Sequence, residues 1–159
     1  MRILGIDPGT RITGYGLIVK TGRDVEHVDN GLIVNQTTTA TPLKLQHIFD
    51  QLTQLIGQFR PDVIALEDIF VSQNVKSSLK LGQARGVVIL AAARAGIPVA
   101  EYSPAAVKMA VASFGQAGKE QIQKMVKLHL KLKEVAQEDA SDALAVALCH
   151  AQTKNFGGA

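Results

Sequence analysis

The chain has 159 residues, a formal net charge of +3 and a single cysteine. This length allows one domain with a sizeable core, and a hydrophobic share of 47% argues against disorder. One cysteine excludes a disulfide framework within the chain, and no apolar run is long enough to span a bilayer. We therefore expect a cytoplasmic protein with one domain over residues 1–159, whose last residues, about 154–159, form a frayed tail.

The first part of the chain predicts four strands and one helix. The apolar run 2–7 is a short buried strand, and Pro8-Gly9-Thr10 predicts a turn. A second strand over 13–19 is expected to form a hairpin with the first, and a third runs from about 25 to 34. A fourth strand follows Pro61 and ends at Glu67, after a helix that begins near Pro42.

The second part predicts helices around one more strand. A long, Ala-rich helix is expected over 74–95 and a short strand over 99–102. Ser103-Pro104 has the residue types of a helix cap and first residue, and two further helices are expected over 119–132 and 139–152. This order predicts an α/β fold with a five-stranded mixed sheet, antiparallel on one side, parallel on the other, and flanked by helices on both faces.

Four acidic residues stand at the ends of apolar segments, where an unpaired charge is costly to bury. Asp7 and Glu67 each end a predicted strand at its carboxyl end, where ligands collect in open α/β sheets. Asp139 and Asp142 are three residues apart and share a face of the last helix, which packs on the sheet. Such a cluster can hold two divalent ions, about 4 Å apart, that clamp the attacking and leaving oxygens of a phosphodiester.

Basic residues are concentrated in the middle of the chain. Between Ile69 and Lys133 there are ten basic and two acidic residues, a balance of +8, so the remainder carries −5. A basic surface around an acidic centre suits a polyanionic substrate. For any one lysine, a solvated surface position is the better explanation, whereas the segment as a whole favours a polyanion.

Two local acids and one rival motif compete with this interpretation. Asp68 points away from Glu67 in a strand, so only one of the two can face the site. Glu138 lies one helical step from Asp139, at the edge of the predicted cluster. The turn Ile6-Asp7-Pro8-Gly9-Thr10 also fits the phosphate loop of actin-like and sugar-kinase ATPases, which need two lobes and a longer chain. Pro-Gly also makes an ordinary turn.

The histidines do not extend the predicted site. None of the four has metal-ligand spacing, and Cys149-His150 lacks the second pair that a zinc site needs. His150 stays open as a residue that assists near the ions.

Several motifs occur in order along nearly the full chain. They are Gly5-Ile6-Asp7-Pro8-Gly9, Thr13-Gly14-Tyr15-Gly16, Glu67 with Phe70, Leu79-Lys80-Leu81-Gly82-Gln83-Ala84-Arg85-Gly86 and Asp139-Ala140-Ser141-Asp142-Ala143-Leu144-Ala145. Together they resemble the RuvC family of crossover junction endodeoxyribonucleases, the bacterial Holliday-junction resolvases of the ribonuclease H-like superfamily. Asp68 is a departure, since members often carry Gln at that position.

The resemblance implies a function and a set of partners. It implies Asp7, Glu67, Asp139 and Asp142 as catalytic magnesium ligands. The cluster itself suits two ions in each site, and manganese can substitute because oxygen ligands do not distinguish the two metals. The resemblance also implies a homodimer that cuts a four-way DNA junction by two symmetric nicks in recombination and repair, beside a branch-migration motor complex RuvA-RuvB. The alternatives are a non-catalytic ribonuclease H-like module that binds junctions or RNA, and a related nuclease for other branched nucleic acids.

Six residues are candidates for contacts with DNA. By resemblance Phe70 stacks on an unpaired base at the junction centre, where the alternative is a core position. Lys108 and Lys119 match family lysines near the scissile phosphate. Three more basic residues are expected to add non-specific attraction to phosphates: Lys76, Lys80 and Arg85.

The long helix over 74–95 is apolar on most of its circumference. Only one side can cover its own sheet, so the surplus indicates a partner helix, and Gly82 and Gly86 permit close approach. We therefore expect a two-fold homodimer.

Overall fold

The computed structural model describes residues 1–69, 74–113, 115 and 117–153. In these ranges the elements are β1 (Arg2–Asp7), β2 (Ile12–Thr21), β3 (Asp24–Val34), α1 (Thr41–Phe59), β4 (Val63–Glu67), α2 (Val75–Arg94), β5 (Val99–Tyr102), α3 (Pro104–Ala112), α4 (Lys119–His129) and α5 (Glu138–Thr153). The predicted order of strands and helices is confirmed. Phe70 and the tail over 154–159 lie outside the described residues.

The five strands form one mixed sheet in the order β3-β2-β1-β4-β5. The pairs β1–β2 and β2–β3 are antiparallel, because short turns join these strands. The pairs β1–β4 and β4–β5 are parallel, since α1 precedes β4 and α2 precedes β5 as crossover connections. The predicted sheet, antiparallel on one side and parallel on the other, is therefore confirmed.

Side chains that alternate along the strands divide the core between the two faces of the sheet. Ile3 of β1 and Val63 of β4 pack with buried residues of α3, α4 and α5. Leu4 and Ile64, the next residues on the same strands, pack with α1 and α2. Helices thus cover both faces, as predicted. Among the described helices, none is long and apolar enough to cross a membrane.

Helix α4 is shorter than the sequence predicts. It was expected to reach Leu132, but it ends at His129. Lys131 takes a left-handed φ of 52°, and the Leu132 amide donates to the Lys127 carbonyl at 3.0 Å. This pattern is a Schellman ending, which stops a helix while the apolar spacing continues.

Candidate active site

The acids at the ends of β1 and β4 face the same side of the sheet. Ile3 pairs with Val63 in the parallel register, so Asp7 and Glu67 end neighbouring strands four residues further on. Since side chains two and four residues apart share a face, both acids lie on the face that α3, α4 and α5 cover. The sheet therefore brings two carboxylates to one edge, as the sequence predicts.

Helix α5 lies so close to β1 and β2 that only glycine fits between them. A Cβ atom at Gly14 would lie 2.0 Å from the carbonyl oxygen of Asp139, and one at Gly5 would lie 1.9 Å from that of Ala143. The missing side chains let the first turns of α5 rest directly on the strands. This contact carries Asp139 and Asp142, which are half-buried, to the ends of the strands.

The turn that follows Asp7 is closed by buried polar groups. Thr13 is fully buried, and its Oγ1 donates to the Gly9 carbonyl at 2.7 Å and accepts from the Gly9 amide at 3.3 Å. The buried side-chain amide of Asn35 donates to the Thr10 carbonyl at 2.9 Å. The backbone beside Asp7 is therefore held at both ends of the turn.

Three of the four acids open into one cavity. This cavity, of about 470 Å³, is lined by the charged residues Asp7, Glu67, Asp142, Lys108 and Lys119 together with apolar residues of α3, α4 and α5. Lys108 comes from α3, whose N terminus is capped by the Ser103 side chain, and Lys119 is the first residue of α4. Asp139 does not line the cavity wall.

Burial and the neighbouring acids both disfavour the charge of Asp7. Together they raise its pKa from 3.8 to about 7: burial is the largest cause, Asp142, Asp139 and Glu67 add to it, and Lys119 opposes it. A carboxyl group with this pKa is about half protonated at neutral pH unless a cation compensates its charge. Asp139 thus belongs electrostatically to the cluster although it lies outside the cavity wall.

The other two cavity acids are perturbed in the same direction. Partial burial raises the pKa of Glu67, with Asp142 adding to the effect and Lys108 opposing it. Burial also raises the pKa of Asp142, and the nearby Lys119 ammonium lowers it by a smaller amount. Each lysine therefore lies close enough to stabilise the charge of an acid, but the negative charges stay in excess.

The chemistry of these side chains fits a divalent cation better than any other partner. The acids offer only oxygen atoms, the donors that magnesium and manganese prefer. Their pKa values are raised first by burial and further by neighbouring carboxylates, so their ionised forms are destabilised, and a bound cation would relieve this. Within the described ranges no three His, Cys, Asp or Glu side chains already stand in a ligating arrangement. The donor set fits a metal, while the coordination geometry is not formed.

The two competing acids have other partners. The carboxylate of Glu138 pairs with the Lys119 ammonium at the rim of the cavity. Asp68 lies 3.8 Å from Arg85 of α2, the helix on the opposite face from Glu67. The expectation that Asp68 points away from Glu67 agrees with this geometry.

His150 does not line the cavity of the acids and lies about two turns of α5 beyond Asp142. It is eight residues after Asp142, which corresponds to about 12 Å of helix. Its Nδ1 is 2.6 Å from the hydroxyl of Tyr102, and the ring is buried against β5. This placement gives His150 a packing role rather than one beside the cavity.

The candidates for contacts with DNA are placed differently from one another. Lys76 and Lys80 are exposed on α2. Arg85, on the same helix, has a side chain only 11% exposed and pairs with Glu101 at 2.7 Å. Phe70 lies outside the described residues. The DNA contacts of all these residues stay predictions.

Sequence reasoning missed the residues that support the acids. The roles of Gly5, Gly14 and Thr13, and the contacts of Arg85, came only from the structure. A signal for the glycines was present, because a glycine inside an apolar strand often marks close approach of another backbone. Thr13 and Arg85 had no such local signal, since their partners depend on the fold.

A mixed sheet of this order, with acids at two adjacent strand ends and on the helix packed across them, defines a nuclease of the ribonuclease H-like fold. The family model described as "Crossover junction endodeoxyribonuclease RuvC" matches residues 3–150. The chain belongs to this family, so it is a crossover junction endodeoxyribonuclease, and the resemblance seen in its motifs is confirmed.

Individual relatives agree over nearly the full length. The chain is 56% identical over 153 residues to crossover junction endodeoxyribonuclease RuvC of Citrifermentans bemidjiense, a match that covers 96% of this chain and 93% of that one. Thermus thermophilus RuvC in complex with Holliday junction substrate matches with a TM-score of 0.93 at 33% identity, covering 99% and 96% of the two chains. A further Thermus thermophilus RuvC structure matches with a TM-score of 0.89 at 32% identity, covering 99% and 97%.

Proposed function

We propose that this protein resolves Holliday junctions by two symmetric, magnesium-dependent hydrolyses of phosphodiester bonds. The observation that carries the proposal is one cavity in which acids from β1, β4 and α5 face lysines from α3 and α4. The solved relative in complex with Holliday junction substrate, 33% identical over 99% of this chain, supports a four-way DNA junction as the substrate.

In this proposal the acids hold the metal. Asp7, Glu67, Asp139 and Asp142 provide the oxygen ligands of two magnesium ions, for which manganese can substitute. Bound ions of this kind supply Lewis-acid stabilisation of the attacking and leaving oxygens. The raised pKa values of the cavity acids support the proposal, because positive charge would relieve their mutual repulsion.

Lys108 and Lys119 have the complementary task. Their positions in the cavity wall suit them to hold the scissile phosphate and to stabilise charge that develops on its oxygens. Lys119 also opens α4, and no described side chain caps that N terminus, so its first amides can donate to a phosphate. Glu138, the partner of Lys119, would give up this ammonium group when DNA arrives.

Further contacts with DNA are proposed along α2 and just before it. The exposure of Lys76 and Lys80 supports a non-specific attraction for phosphates. Phe70 would stack on a base that the junction leaves unpaired, an interaction that is worth about 1–3 kcal/mol. These contacts would hold the junction without reading its sequence.

We also propose a homodimer in which α2 packs against a second copy of itself. Large apolar side chains of α2 are exposed, with Val75 at 65%, Leu79 at 63% and Leu90 at 54%. Gly82 and Gly86 leave room for a close helix, since a Cβ at either meets no described atom within 4 Å. A two-fold pair of active sites suits two symmetric nicks. By resemblance we place the dimer in the cytoplasm, beside a RuvA-RuvB motor.

Cleavage of a labelled synthetic four-way junction tests the function directly. The same sequence as a linear duplex is the control, and each is incubated with magnesium or with EDTA. We expect paired nicks at symmetric positions, in the junction alone and only with magnesium. Tight junction binding without cutting under any divalent metal would indicate the non-catalytic module instead.

A further inference from the structure

The side chain of Arg85 holds the end of β4 from the far side of the sheet. Its Nη1 donates to the main-chain carbonyl of Glu67 at 2.7 Å. Its Nη2 lies 2.7 Å from Oε1 of Glu101 on β5 and 3.8 Å from Oδ1 of Asp68. A guanidinium group is a rigid planar fork of donors, so one side chain can hold groups from two strands at once.

Arg85 acts where the pairing of β4 with β5 stops. The strand pairs with β5 as far as Glu67 opposite Tyr102, and the Asp68 amide then donates to the Tyr102 carbonyl at 2.7 Å. Arg85 holds the Glu67 carbonyl at the point where this ladder ends. The Glu67 side chain points the other way, into the cavity of the acids. The backbone position of this acid therefore depends on a residue of α2.

The surroundings of Arg85 do not suit a phosphate. Its side chain is 11% exposed, and the carboxylates of Asp68 and Glu101 flank it, so two negative charges face one positive charge. A DNA phosphate approaching this point would meet an excess of negative charge. Lys76 and Lys80, which are exposed on the same helix, offer phosphates far better access.

We propose that Arg85 is a positioning residue that sets Glu67 for catalysis, and that it is not a contact with DNA. The proposal rests on the catalytic role proposed above for Glu67. It also links α2, the helix proposed to form the dimer, to the cluster of acids. A small displacement of a reacting group can reduce turnover by about 100-fold, so the support of one carbonyl is enough to matter.

The test compares three substitutions that each remove or alter one cation of α2. Arg85→Met removes the fork, Arg85→Lys keeps the charge without the fork, and Arg94→Met removes an exposed charge that has no assigned role. Junction affinity and its salt dependence are measured in EDTA. The turnover number at saturating junction and the magnesium concentration for half-maximal cleavage are measured separately. Hydrogen exchange of the Asp68 amide reports on the end of the strand.

For Arg85→Met we expect junction affinity within about twofold of wild type and an unchanged salt slope, because no phosphate contact is lost. Turnover should fall by about 100-fold, half-maximal cleavage should need more magnesium, and the Asp68 amide should exchange faster. Arg85→Lys should also turn over slowly, because an ammonium group cannot hold both strands. Arg94→Met should behave as wild type in turnover and amide exchange.

The opposite pattern would overturn the proposal. In that pattern Arg85→Met would bind the junction more weakly, with a salt slope smaller by about 0.9, but its turnover at saturating junction would be normal. Arg85→Lys, which keeps the charge, would bind the junction as wild type does. Circular dichroism shows whether Arg85→Met folds. If it does not, the comparison of Arg85→Lys with wild type tests the proposal by itself. If wild type cuts no junction, the proposed function fails, but exchange at Asp68 still reports whether Arg85 holds β4.

Discussion

The close contact between α5 and β2 makes Gly14→Ala the sharpest perturbation of the site. The new Cβ would lie 2.0 Å from the Asp139 carbonyl oxygen, 2.3 Å from its carbonyl carbon and 2.8 Å from the Ala140 amide nitrogen. All three are backbone atoms, so no side-chain rotation can relieve the overlap. The first turn of α5, with Asp139 and Asp142, has to move away from the strands.

The size of the effect follows from this distance. To reach about 3.0 Å, near the lower limit of real Cβ contacts, the helix has to move by about 1 Å. Overpacking of this kind destabilises a core by about 1–3 kcal/mol. A displacement of about 1 Å in groups that position the reaction can reduce the rate by about 100-fold. We therefore expect a variant that still folds, with a free energy of unfolding lower by about 1–3 kcal/mol and cleavage slower by about 100-fold.

Urea unfolding and single-turnover cleavage of a four-way junction measure the two effects. Gly57→Ala is the matched control, because Gly57 is exposed on α1 and a Cβ there meets no described atom within 4 Å. That control should keep wild-type cleavage and gain about 0.5–1 kcal/mol of stability from helix propensity. If Gly14→Ala kept both wild-type stability and wild-type cleavage, α5 could not lie against β2 as described.

Three further predictions concern charge and assembly. The Asp7 pKa, raised to about 7 from 3.8, means that the metal-free protein loses stability as pH rises through this window. In EDTA, thermal unfolding should show Asp7→Asn stabilising the protein by about 2 kcal/mol more at pH 8 than at pH 5, and an equal gain at both pH values would refute this. Lys119→Met should slow cleavage at saturating junction by about 100-fold, measured against Lys124→Met, an exposed lysine on α4 whose loss should change turnover little. Leu79→Glu should give monomers in sedimentation at micromolar concentration. The control Leu128→Glu should remain a dimer, because Leu128 is 69% exposed on α4, on the face of the sheet opposite to α2.

The sequence was sufficient to predict the sheet and the position of the acids. Apolar runs that end in Asp7 and Glu67 indicate strands whose carboxyl ends carry the acids, and alternation then places Asp68 on the other face. These inferences use only the two-residue alternation of side chains along a strand and the direction of the chain, and tertiary packing changes neither. The same local reasoning extended the C-terminal end of α4 by three residues too many, because the helix is ended by the left-handed backbone at Lys131.

The supports of the site could not be predicted in the same way. Arg85 lies in a basic segment, so its charge alone favoured a phosphate contact, whereas its partners Glu67 and Glu101 come from two strands that only the fold brings together. The depth at which α5 sits is likewise a tertiary property. Gly14 in a strand indicates close approach, but it does not identify Asp139 as the neighbour.

The most direct test of a metal-dependent acid cluster is to measure binding and cutting of the same four-way junction by Asp7→Asn. Substitution of Asn for Asp removes one negative charge and keeps the shape of the side chain. We predict that no nicks form with magnesium while the affinity for the junction equals or exceeds that of wild type, because the basic surface is intact. Cleavage at the wild-type rate, or loss of binding together with cleavage, would contradict the catalytic role of the cluster.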